Sequence, residues 1–363
     1  MRQLATSLSA LGASGHPRAE EAHVKSAVAW LGEAQRAGGG GGFAHSYHLL
    51  HGWERPYPET TGYILPTLRR ADARFGIACA AAMIEAALGW LASVQGEDGS
   101  FCDLDGRKQV FDTGQILHGW NDLGLAAPHL VDPGLQRRAA RWICAQQEED
   151  GSFLRHAWRG IAHSYYARVG AALVRAGRLL GEAAIADAGM RHLRWVLAQQ
   201  EPNGFFRALS FDAGPPFLHT MIYVVEGLLD GFADTGETAL IDAALRFMEP
   251  LAAAAARDGL PRSRYRPDFT PVDRELCLPG LAQWVGVCFR LGALGHAAYR
   301  APGDRALAAL KERQLVSADR RLDGGLFGSA PMWGRYLRLS VPNWGVKFLI
   351  DALLAPGEAA PHD

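Results

Sequence analysis

One motif recurs along the chain at nearly equal intervals: a tryptophan, then a glutamine, then a glycine turn and a phenylalanine. The clear copies are AWLGEAQRAGGGGGF from Ala29, GWLASVQGEDGSF from Gly89, RWICAQQEEDGSF from Arg141 and RWVLAQQEPNGFF from Arg194. Their tryptophans, Trp30, Trp90, Trp142 and Trp195, are 60, 52 and 53 residues apart. A fixed period of this length indicates a repeat architecture, and each unit has room for two helices and a long loop.

A second, more apolar segment follows each motif. It reads ETTGYILPTL from Glu59, FDTGQILHGW from Phe111, AHSYYARVGA from Ala162 and HTMIYVVEGL from His219, and weaker copies start at Cys277 and Pro342. Aligned without gaps, these segments place four residues in one column: Tyr63, Gln115, Tyr166 and Tyr223. Apolar residues recur at i, i+3, i+4 and i+7 in both halves of the unit, which predicts amphipathic helices.

The second helices are richer in apolar and small residues, so we expect them to lie inside the first. Six units of this kind predict an all-α fold, an (α/α)6 toroid of six helical hairpins with alternating outer and inner helices. We expect a single domain over residues 1–363, with flexible termini at 1–19 and 356–363. An open α-solenoid is the alternative architecture.

Composition narrows the classes of partner. The net charge is −1, so no basic surface favours nucleic acid, and no apolar run approaches the ~18 residues that a membrane span needs. Five cysteines at spacings typical of neither a disulfide scaffold nor a zinc motif indicate reduced thiols and a cytoplasmic protein. We expect a small-molecule or oligosaccharide substrate, no cofactor and no metal, the set Asp273, Glu275 and Cys277 being a weak metal motif.

Unusual polar and aromatic residues collect where the inner helices begin. The segment HSYHLLHGWERPYPETTGY, residues 45–63, holds three histidines, three tyrosines, a tryptophan and two glutamates. Aromatic rings stack on sugar faces, and carboxylates and imidazoles bind hydroxyl groups or transfer protons. Because all the long loops lead to inner-helix N-termini, we expect the functional site at that mouth of the barrel.

The sequence predicts a candidate site in two parts. The candidate catalytic residues are Glu59, Asp112, His163, Tyr166, His219 and Glu226. The candidate substrate-binding residues are His45, Tyr47, Trp53, Arg55, Tyr57, Tyr63, Gln115, Tyr165, Arg168, Tyr223, Gln283, Asn343, Trp344 and Lys347.

Structural roles compete with these functional ones. Glu59 is also suited to interact with a helix dipole, and Asp112 with Gln115 resembles a capping box, which would lower the pKa of Asp112. Further helix caps are predicted at Ser164, which would leave His163 facing inward, and at Thr220. Arg168 is expected to bind a carboxylate, either of the substrate or of the protein, and Glu226 to pair with Arg168 or Lys347.

The outer-helix motif resembles the QW repeats of squalene cyclases and other class II terpene cyclases, whose toroid is shared by protein prenyltransferase β subunits. The resemblance implies the fold more than the activity. The DxDD acid motif is absent, with Asp103-Leu104-Asp105 only a partial match, and the DDxxD motif is absent as well. The prenyltransferase zinc set is matched at best by Asp273 and Cys277.

The polar mouth resembles that of six-hairpin carbohydrate enzymes: glycoside and uronyl hydrolases, polysaccharide lyases, sugar epimerases and glucuronyl C5-epimerases. The segments HSYHLLHGWERPYPETTGYILPTL and PNWGVKFLIDALL also resemble uncharacterised proteins of bacterial polysaccharide-biosynthesis clusters. We therefore expect an enzyme acting on a sugar or uronic-acid-containing glycan by hydrolysis, elimination or epimerisation. The alternatives are a terpenoid cyclase or prenyltransferase-like enzyme with an isoprenoid substrate, and a non-catalytic glycan-binding or scaffold protein.

Overall fold

The computed structural model describes residues 18–357, in which the two halves of every repeat form α-helices. The predicted flexible termini lie outside the described residues, apart from residues 18–19 and 356–357. Twelve α-helices lie within 18–357: α1 Glu20–Ala37, α2 Pro58–Phe75, α3 Ala80–Val94, α4 Val110–Ala126, α5 Pro133–Cys144, α6 Ala167–Leu180, α7 Ala183–Leu197, α8 Leu218–Thr235, α9 Thr238–Asp258, α10 Leu278–Ala293, α11 Arg300–Lys311 and α12 Asn343–Leu354.

The even-numbered helices form a closed inner ring, and the odd-numbered helices surround it. Eleven of the twelve residues of α12 are buried, against five of the fifteen in α3. Each inner helix packs against the next, and α12 packs against α2, so the ring closes. The predicted (α/α)6 toroid is confirmed, and the open solenoid is wrong.

Each repeat in the sequence contains an outer helix followed by an inner helix, but the closely packed hairpins consist of an inner helix and the outer helix that follows it. Five inner helices pack against the outer helix that follows them through a short connection, and α12 packs against α1 at the opposite end of the described chain. The long loops therefore run from an outer helix to the next inner helix. All of them reach the inner-helix N-termini, at the same mouth of the barrel.

Short strands tie these loops together. Strands β1 (Ser46–His48), β2 (Gly52–Trp53) and β5 (Ser340–Pro342) form an antiparallel sheet in the order β2-β1-β5, with Ser46 opposite Pro342. Strands β3 (Leu276–Cys277) and β4 (Ser329–Ala330) form a second antiparallel pair. The sheet with β1 and β5 joins the first and last long loops, at the same seam as α1 and α12.

The repeated glutamine holds neighbouring outer helices together. The Gln200 amide donates from Nε2 to the carbonyl oxygen of Gly204 in its own turn, at 3.0 Å, and to that of Ala243 in α9, at 2.9 Å. Equivalent pairs of hydrogen bonds are made by Gln35, Gln95, Gln147 and Gln314. The motif therefore encodes one contact, made by five outer helices with the next one around the ring.

Two glycines show why the repeat is rich in this residue. Gly204 has φ +91°, and a Cβ there would lie 2.2 Å from the carbonyl oxygen of Arg246. Gly119 in α4 lies so close to α2 that a Cβ would stand 2.2 Å from the carbonyl oxygen of Gly62. Only glycine fits at either point, so the outer turns and the inner ring both pack backbone against backbone.

The described helices and side chains bear on two kinds of feature: membrane spans and metal sites. Among residues 18–357, no helix is both long and apolar enough to span a bilayer. In the same part of the chain, no group of three or more His, Cys, Asp or Glu side chains is placed to hold a metal ion. Asp273, from the weak metal motif, instead pairs with Arg264, their nearest side-chain atoms being 2.9 Å apart.

Candidate active site

A cavity of about 420 Å³ opens at the mouth where the inner helices begin. We call it the mouth cavity. It is lined by His45, Tyr57, Glu59, Tyr63, Gln109, Phe111, Asp112, Trp158, Arg159, Tyr165, Tyr166, Phe211, Phe217, His219, Tyr223, Arg335, Tyr336, Leu337 and Trp344. The predicted location at the inner-helix N-termini thus contains a cavity of the size that small-molecule sites usually have.

Two carboxyl groups line this cavity. Glu59 lies in the first turn of α2 and Asp112 in the first turn of α4, and they are only 9% and 5% exposed. The hydroxyl of Tyr57 donates to Oδ2 of Asp112 at 2.6 Å. The predicted capping role of Asp112 is wrong, because α4 begins at Val110 and no side chain caps it.

The surroundings of the pair disfavour the charged form of both carboxyl groups. Burial raises the pKa of Asp112 to about 7, although the hydrogen bond from Tyr57 opposes this by stabilising the carboxylate. Burial, and next the negative charge of Asp112, raise the pKa of Glu59 well above its usual value. Both shifts disfavour the charged forms, and an ionised Asp112 favours the protonated form of Glu59.

Two neutral histidines border the same space. Burial lowers the pKa of His219 to about 3 and that of His45 to about 4. Nδ1 of His219 lies 2.6 Å from Oε1 of Gln283, and Nδ1 of His45 lies 3.1 Å from Oγ of Ser46. Both rings are uncharged at neutral pH, and each has one nitrogen engaged by the protein.

Aromatic side chains make up most of the wall. Eleven of the nineteen lining residues are Tyr, Phe or Trp, and six of these are tyrosines. Tyr165 packs edge-on against Phe111 with ring centroids 5.2 Å apart, and Phe111 has the same separation from Tyr166. Such a wall can stack on flat or ring-shaped ligands while its hydroxyl groups offer hydrogen bonds.

Sequence reasoning missed nearly half of this lining. The additional residues are Gln109, Phe111, Trp158, Arg159, Phe211, Phe217, Arg335, Tyr336 and Leu337. Most of them lie in long loops outside the aligned repeat columns, where isolated aromatic residues such as Trp158 and Tyr336 were the available signal. Arg159 and Arg335 are exposed, and they place positive charge at the rim.

Three predicted residues line a different cavity. Arg168, Glu226 and Lys347 border a space of about 480 Å³ near the C-terminal ends of the inner helices, which we call the second cavity. Nη1 of Arg168 lies 2.8 Å from Oδ2 of Asp230, and Nζ of Lys347 lies 2.6 Å from Oδ2 of Asp351. Arg168 therefore binds a carboxylate of the protein and lines the second cavity rather than the mouth cavity.

Glu226 lies near Arg168, as predicted, but its hydrogen bond is to Gln283. Its Oε2 accepts a hydrogen bond from Nε2 of Gln283 at 3.1 Å and lies 3.9 Å from Nε of Arg168. Burial raises the pKa of Glu226, while the charges of Arg168 and Lys347 oppose the shift. Of the candidate residues, only Tyr63 borders both cavities.

Seven predicted residues line neither cavity: Tyr47, Trp53, Arg55, Gln115, His163, Gln283 and Asn343. The ring of Tyr47 packs edge-on against Trp53, with centroids 5.1 Å apart, beside the β1–β2 pair. The Arg55 guanidinium donates to the carbonyl oxygen of Leu104. Gln115 is fully buried, and within residues 18–357 its side chain has no hydrogen-bond partner.

The caps predicted near His163 and His219 are wrong. The hydroxyl of Ser164 donates to the carbonyl oxygen of Arg207 at 2.5 Å, and α6 begins three residues later. His163 is buried behind the wall, where its Nε2 lies 3.0 Å from the carbonyl oxygen of Trp158. Thr220 lies inside α8 and donates to the carbonyl oxygen of Phe217 at 3.0 Å.

Comparison with known proteins identifies the fold by structure rather than by sequence. No protein-family model matches the chain, and no curated protein matches it. An unsaturated glucuronyl hydrolase specific for heparin is similar in structure, with a TM-score of 0.72 and 14% identity over 93% of this chain and 96% of that one.

Other similar structures are named for other reactions. Cellobiose 2-epimerase from Bacillus thermoamylovorans B4167 has a TM-score of 0.67 and 10% identity over 86% of this chain and 92% of its own. A polysaccharide lyase has a TM-score of 0.62 and 12% identity over 93% and 97%. The predicted resemblance to six-hairpin toroid proteins is thereby confirmed at the level of the fold.

Proposed function

We propose that this protein is a carbohydrate-active enzyme whose active site is the mouth cavity. The observation that carries the proposal is the buried pair Glu59 and Asp112 in an aromatic-walled cavity at the inner-helix N-termini. Hydrolysis, elimination and epimerisation of sugars all need a group that gives a proton and a group that takes one. The similarity to a glucuronyl hydrolase, a cellobiose epimerase and a polysaccharide lyase supports this class of reaction.

Glu59 and Asp112 take different roles, acid and base, because their surroundings differ. Tyr57 donates to Asp112 and favours its ionised form, so Asp112 is the base or electrostatic stabiliser. Glu59 keeps its proton because burial and the charge of Asp112 raise its pKa, so Glu59 is the acid. A buried carboxyl group that holds its proton beside a carboxylate that accepts a hydrogen bond is the arrangement expected of an acid and a base that work together at neutral pH.

The surroundings fit a sugar ring with an acidic group. Aromatic rings stack on the apolar faces of sugars, and tyrosine hydroxyls and the neutral His45 and His219 can bind sugar hydroxyls. Arg159 and Arg335 at the rim take over the role that the sequence assigned to Arg168, holding a carboxylate of the substrate. We therefore place a uronic-acid-containing glycan first among the substrates.

A panel of substrates tests the proposal. Loss of near-UV absorbance from an unsaturated uronyl disaccharide reports hydrolysis, its gain from a uronate polysaccharide reports elimination, and deuterium uptake from D₂O by cellobiose or a uronate polymer reports epimerisation. We expect turnover in one assay, and loss of it in Glu59→Gln and Asp112→Asn variants that fold normally. Binding of the glycans without turnover identifies a glycan-binding protein instead and contradicts the proposal.

The aromatic wall supports a second candidate, an isoprenoid cyclase-like activity. Eleven aromatic residues around a cavity can stabilise a carbocation by cation–π interactions. The two buried carboxyl groups, six tyrosines and two rim arginines favour the more polar sugar substrate. Incubation with geranyl and farnesyl diphosphate, followed by analysis of the extracted hydrocarbons, distinguishes the isoprenoid activity from the sugar activity.

A cytoplasmic location of the protein stays a prediction.

A further inference from the structure

A chain of hydrogen bonds joins His219 in the mouth cavity to the second cavity. Nδ1 of His219 lies 2.6 Å from Oε1 of Gln283, and Nε2 of Gln283 donates to Oε2 of Glu226 at 3.1 Å. His219 and Glu226 stand seven residues apart on α8, while Gln283 stands on the adjacent helix α10. Gln283 is buried and lines neither cavity, so its amide is the link between a residue of each.

The chemistry of these groups sets the direction of every hydrogen bond. Nε2 of Gln283 donates to Oε2 of Glu226, so the NH₂ group of the Gln283 amide faces Glu226. The carbonyl oxygen of the same amide then faces His219, and because it only accepts, Nδ1 of His219 must carry the proton. A neutral imidazole has one N–H, so Nε2 of His219 carries a lone pair and no proton.

The unprotonated nitrogen belongs to a residue that lines the mouth cavity. His219 lines the mouth cavity, and in the described part of the chain no protein group makes a hydrogen bond to its Nε2. The ring is held by packing as well, with centroids 4.5 Å from Tyr223 and 5.4 Å from Tyr336. A lone pair on a fixed ring can accept a proton or a hydroxyl hydrogen bond from a ligand in the cavity.

The other end of the chain is held by positive charge. Oε2 of Glu226 lies 3.9 Å from Nε of Arg168, whose Nη1 bonds to Asp230, and the charge of Lys347 also favours the carboxylate. Arg168 belongs to α6 and Lys347 to α12, and the charges of both favour an ionised acceptor at position 226. Arg168, Lys347 and Glu226 all lie outside the mouth cavity, although the charge of Lys347 also lowers the pKa of His219.

We propose that Gln283 and Glu226 are positioning residues that fix His219 in its Nδ1–H tautomer and present Nε2 as the acceptor in the active site. The role of that acceptor rests on the proposed function, while the tautomer does not. An enzyme in which His219 carried its proton on Nε2 would offer a donor at the same point, and the preference for the substrate group bound there would be reversed. A wrong tautomer is costly wherever a histidine acts as a base.

The test reads the tautomer directly. Protein labelled with ¹⁵N-histidine is studied by long-range ¹H–¹⁵N correlation NMR at pH 7.5, and the His219 ring is assigned from the signals that His219→Gln removes. We expect the Nδ1–H pattern in the natural protein. In Glu226→Leu the amide of Gln283 is free to turn over and donate to Nδ1, so the Nε2–H pattern should appear. Gln283→Leu should also lose the pure Nδ1–H pattern.

A double exchange distinguishes positioning from simple packing. Glu226→Gln combined with Gln283→Glu again places an acceptor beside His219 and a donor beside that acceptor, so the Nδ1–H tautomer should return. Gln136→Leu is the matched control, because Gln136 is a buried glutamine on α5 whose Nε2 bonds to Asn121 at 2.6 Å, remote from the site. It should leave the His219 pattern unchanged.

Activity supplies an independent readout. On whichever substrate of the panel is turned over, Glu226→Leu should lower kcat by at least about 10-fold with little change in KM, and the double exchange should recover most of it. Nε2–H in the natural protein, or Nδ1–H retained in both leucine variants, overturns the inference. If the tautomers behave as proposed and no sugar is turned over, the proposed function fails and the assignment of the tautomer stands.

Discussion

At the scale of single residues, the mouth cavity places two acids where the folded protein disfavours their charge. The pKa values of Glu59 and Asp112 are raised in the folded state, mainly by burial, whereas unfolded carboxyl groups titrate near pH 4. Between about pH 4 and 7 the folded protein therefore binds more protons than the unfolded chain, and the stability lost to this pair grows as the pH rises. Under the proposed function, this loss of stability accompanies the acid–base role of the pair.

Replacing Asp112 with asparagine tests that loss directly. The amide has nearly the same shape and carries no charge, so Asp112→Asn should raise Tm at pH 8 by about 2 °C or more and raise it by clearly less at pH 5. Activity on the identified substrate should fall by at least about 100-fold. Thermal unfolding at both pH values measures the first effect, with Asp105→Asn on the exposed loop as control. An equal Tm change at both pH values would contradict the assignment.

Tyr57 should set the pH at which Asp112 ionises. Its hydroxyl donates to the carboxylate at 2.6 Å and so favours the charged form. Tyr57→Phe removes that donor, and the pKa of Asp112 should rise above about 7, which shifts the acid limb of the kcat/KM profile to higher pH. Tyr299→Phe, remote from the cavity, should leave the profile unchanged. A loss of activity that is equal at all pH values would show that Tyr57 acts only through packing.

At the scale of secondary-structure elements, the repeated glutamine should contribute more stability than its neighbour. Nε2 of Gln200 bonds to two carbonyl groups in different elements, whereas Nε2 of Gln199 bonds only to the carbonyl oxygen of Trp195 within α7. Gln200→Leu leaves both carbonyl groups without this donor and should lower the free energy of unfolding by about 2 kcal/mol. Gln199→Leu should cost under about 1 kcal/mol, and urea titration of the pair measures the difference. Equal losses would mean that the repeat preserves glutamine for another reason.

The elements also explain which predictions succeeded. The repeat predicted the helices and the ring because each copy of the motif makes the same contact. Three of the four residues in the aligned column, Tyr63, Tyr166 and Tyr223, line the mouth cavity because they stand at matching depths, whereas Gln115 lines neither cavity. The sequence groups Glu226 with His219 because both belong to the same predicted inner helix. Seven residues of helix rise by about 10 Å, however, which carries Glu226 to the second cavity.

Loop residues needed the structure for a different reason. Trp158 and Tyr336 reach the cavity from long loops, whose paths follow neither a helical nor a strand period. The pKa values of Glu59 and Asp112 likewise depend on burial and, for Glu59, on the charge of Asp112, which lies 53 residues further along the chain. Hydrophobic periodicity reports which face of a helix is buried, and it contains no information on which polar groups meet there.

At the scale of the whole molecule, closure of the ring depends on a seam between the two ends of the described chain. Asn343, at the start of α12, is fully buried, and its Nδ2 donates to the carbonyl oxygen of Ala44 at 2.9 Å and to Oγ1 of Thr60 at 2.8 Å. Asn343→Ala removes both bonds across the seam. It should lower the free energy of unfolding by about 2–3 kcal/mol and increase hydrogen exchange selectively in α1, α2 and α12.

Asn121 provides the matched control for the seam. It is also fully buried, its Nδ2 donates to the carbonyl oxygen of Ala172 at 2.8 Å, and its Oδ1 accepts from Gln136, all within the body of the ring. Asn121→Ala should cost a similar free energy, with its increase in exchange confined to α4, α5 and α6. Since a closed ring has no free edge in its interior, opening is expected to start where the chain ends meet. The same pattern of hydrogen exchange in both variants would show that the toroid opens as one unit, and that the contacts at the seam are no less stable than those between other neighbouring helices.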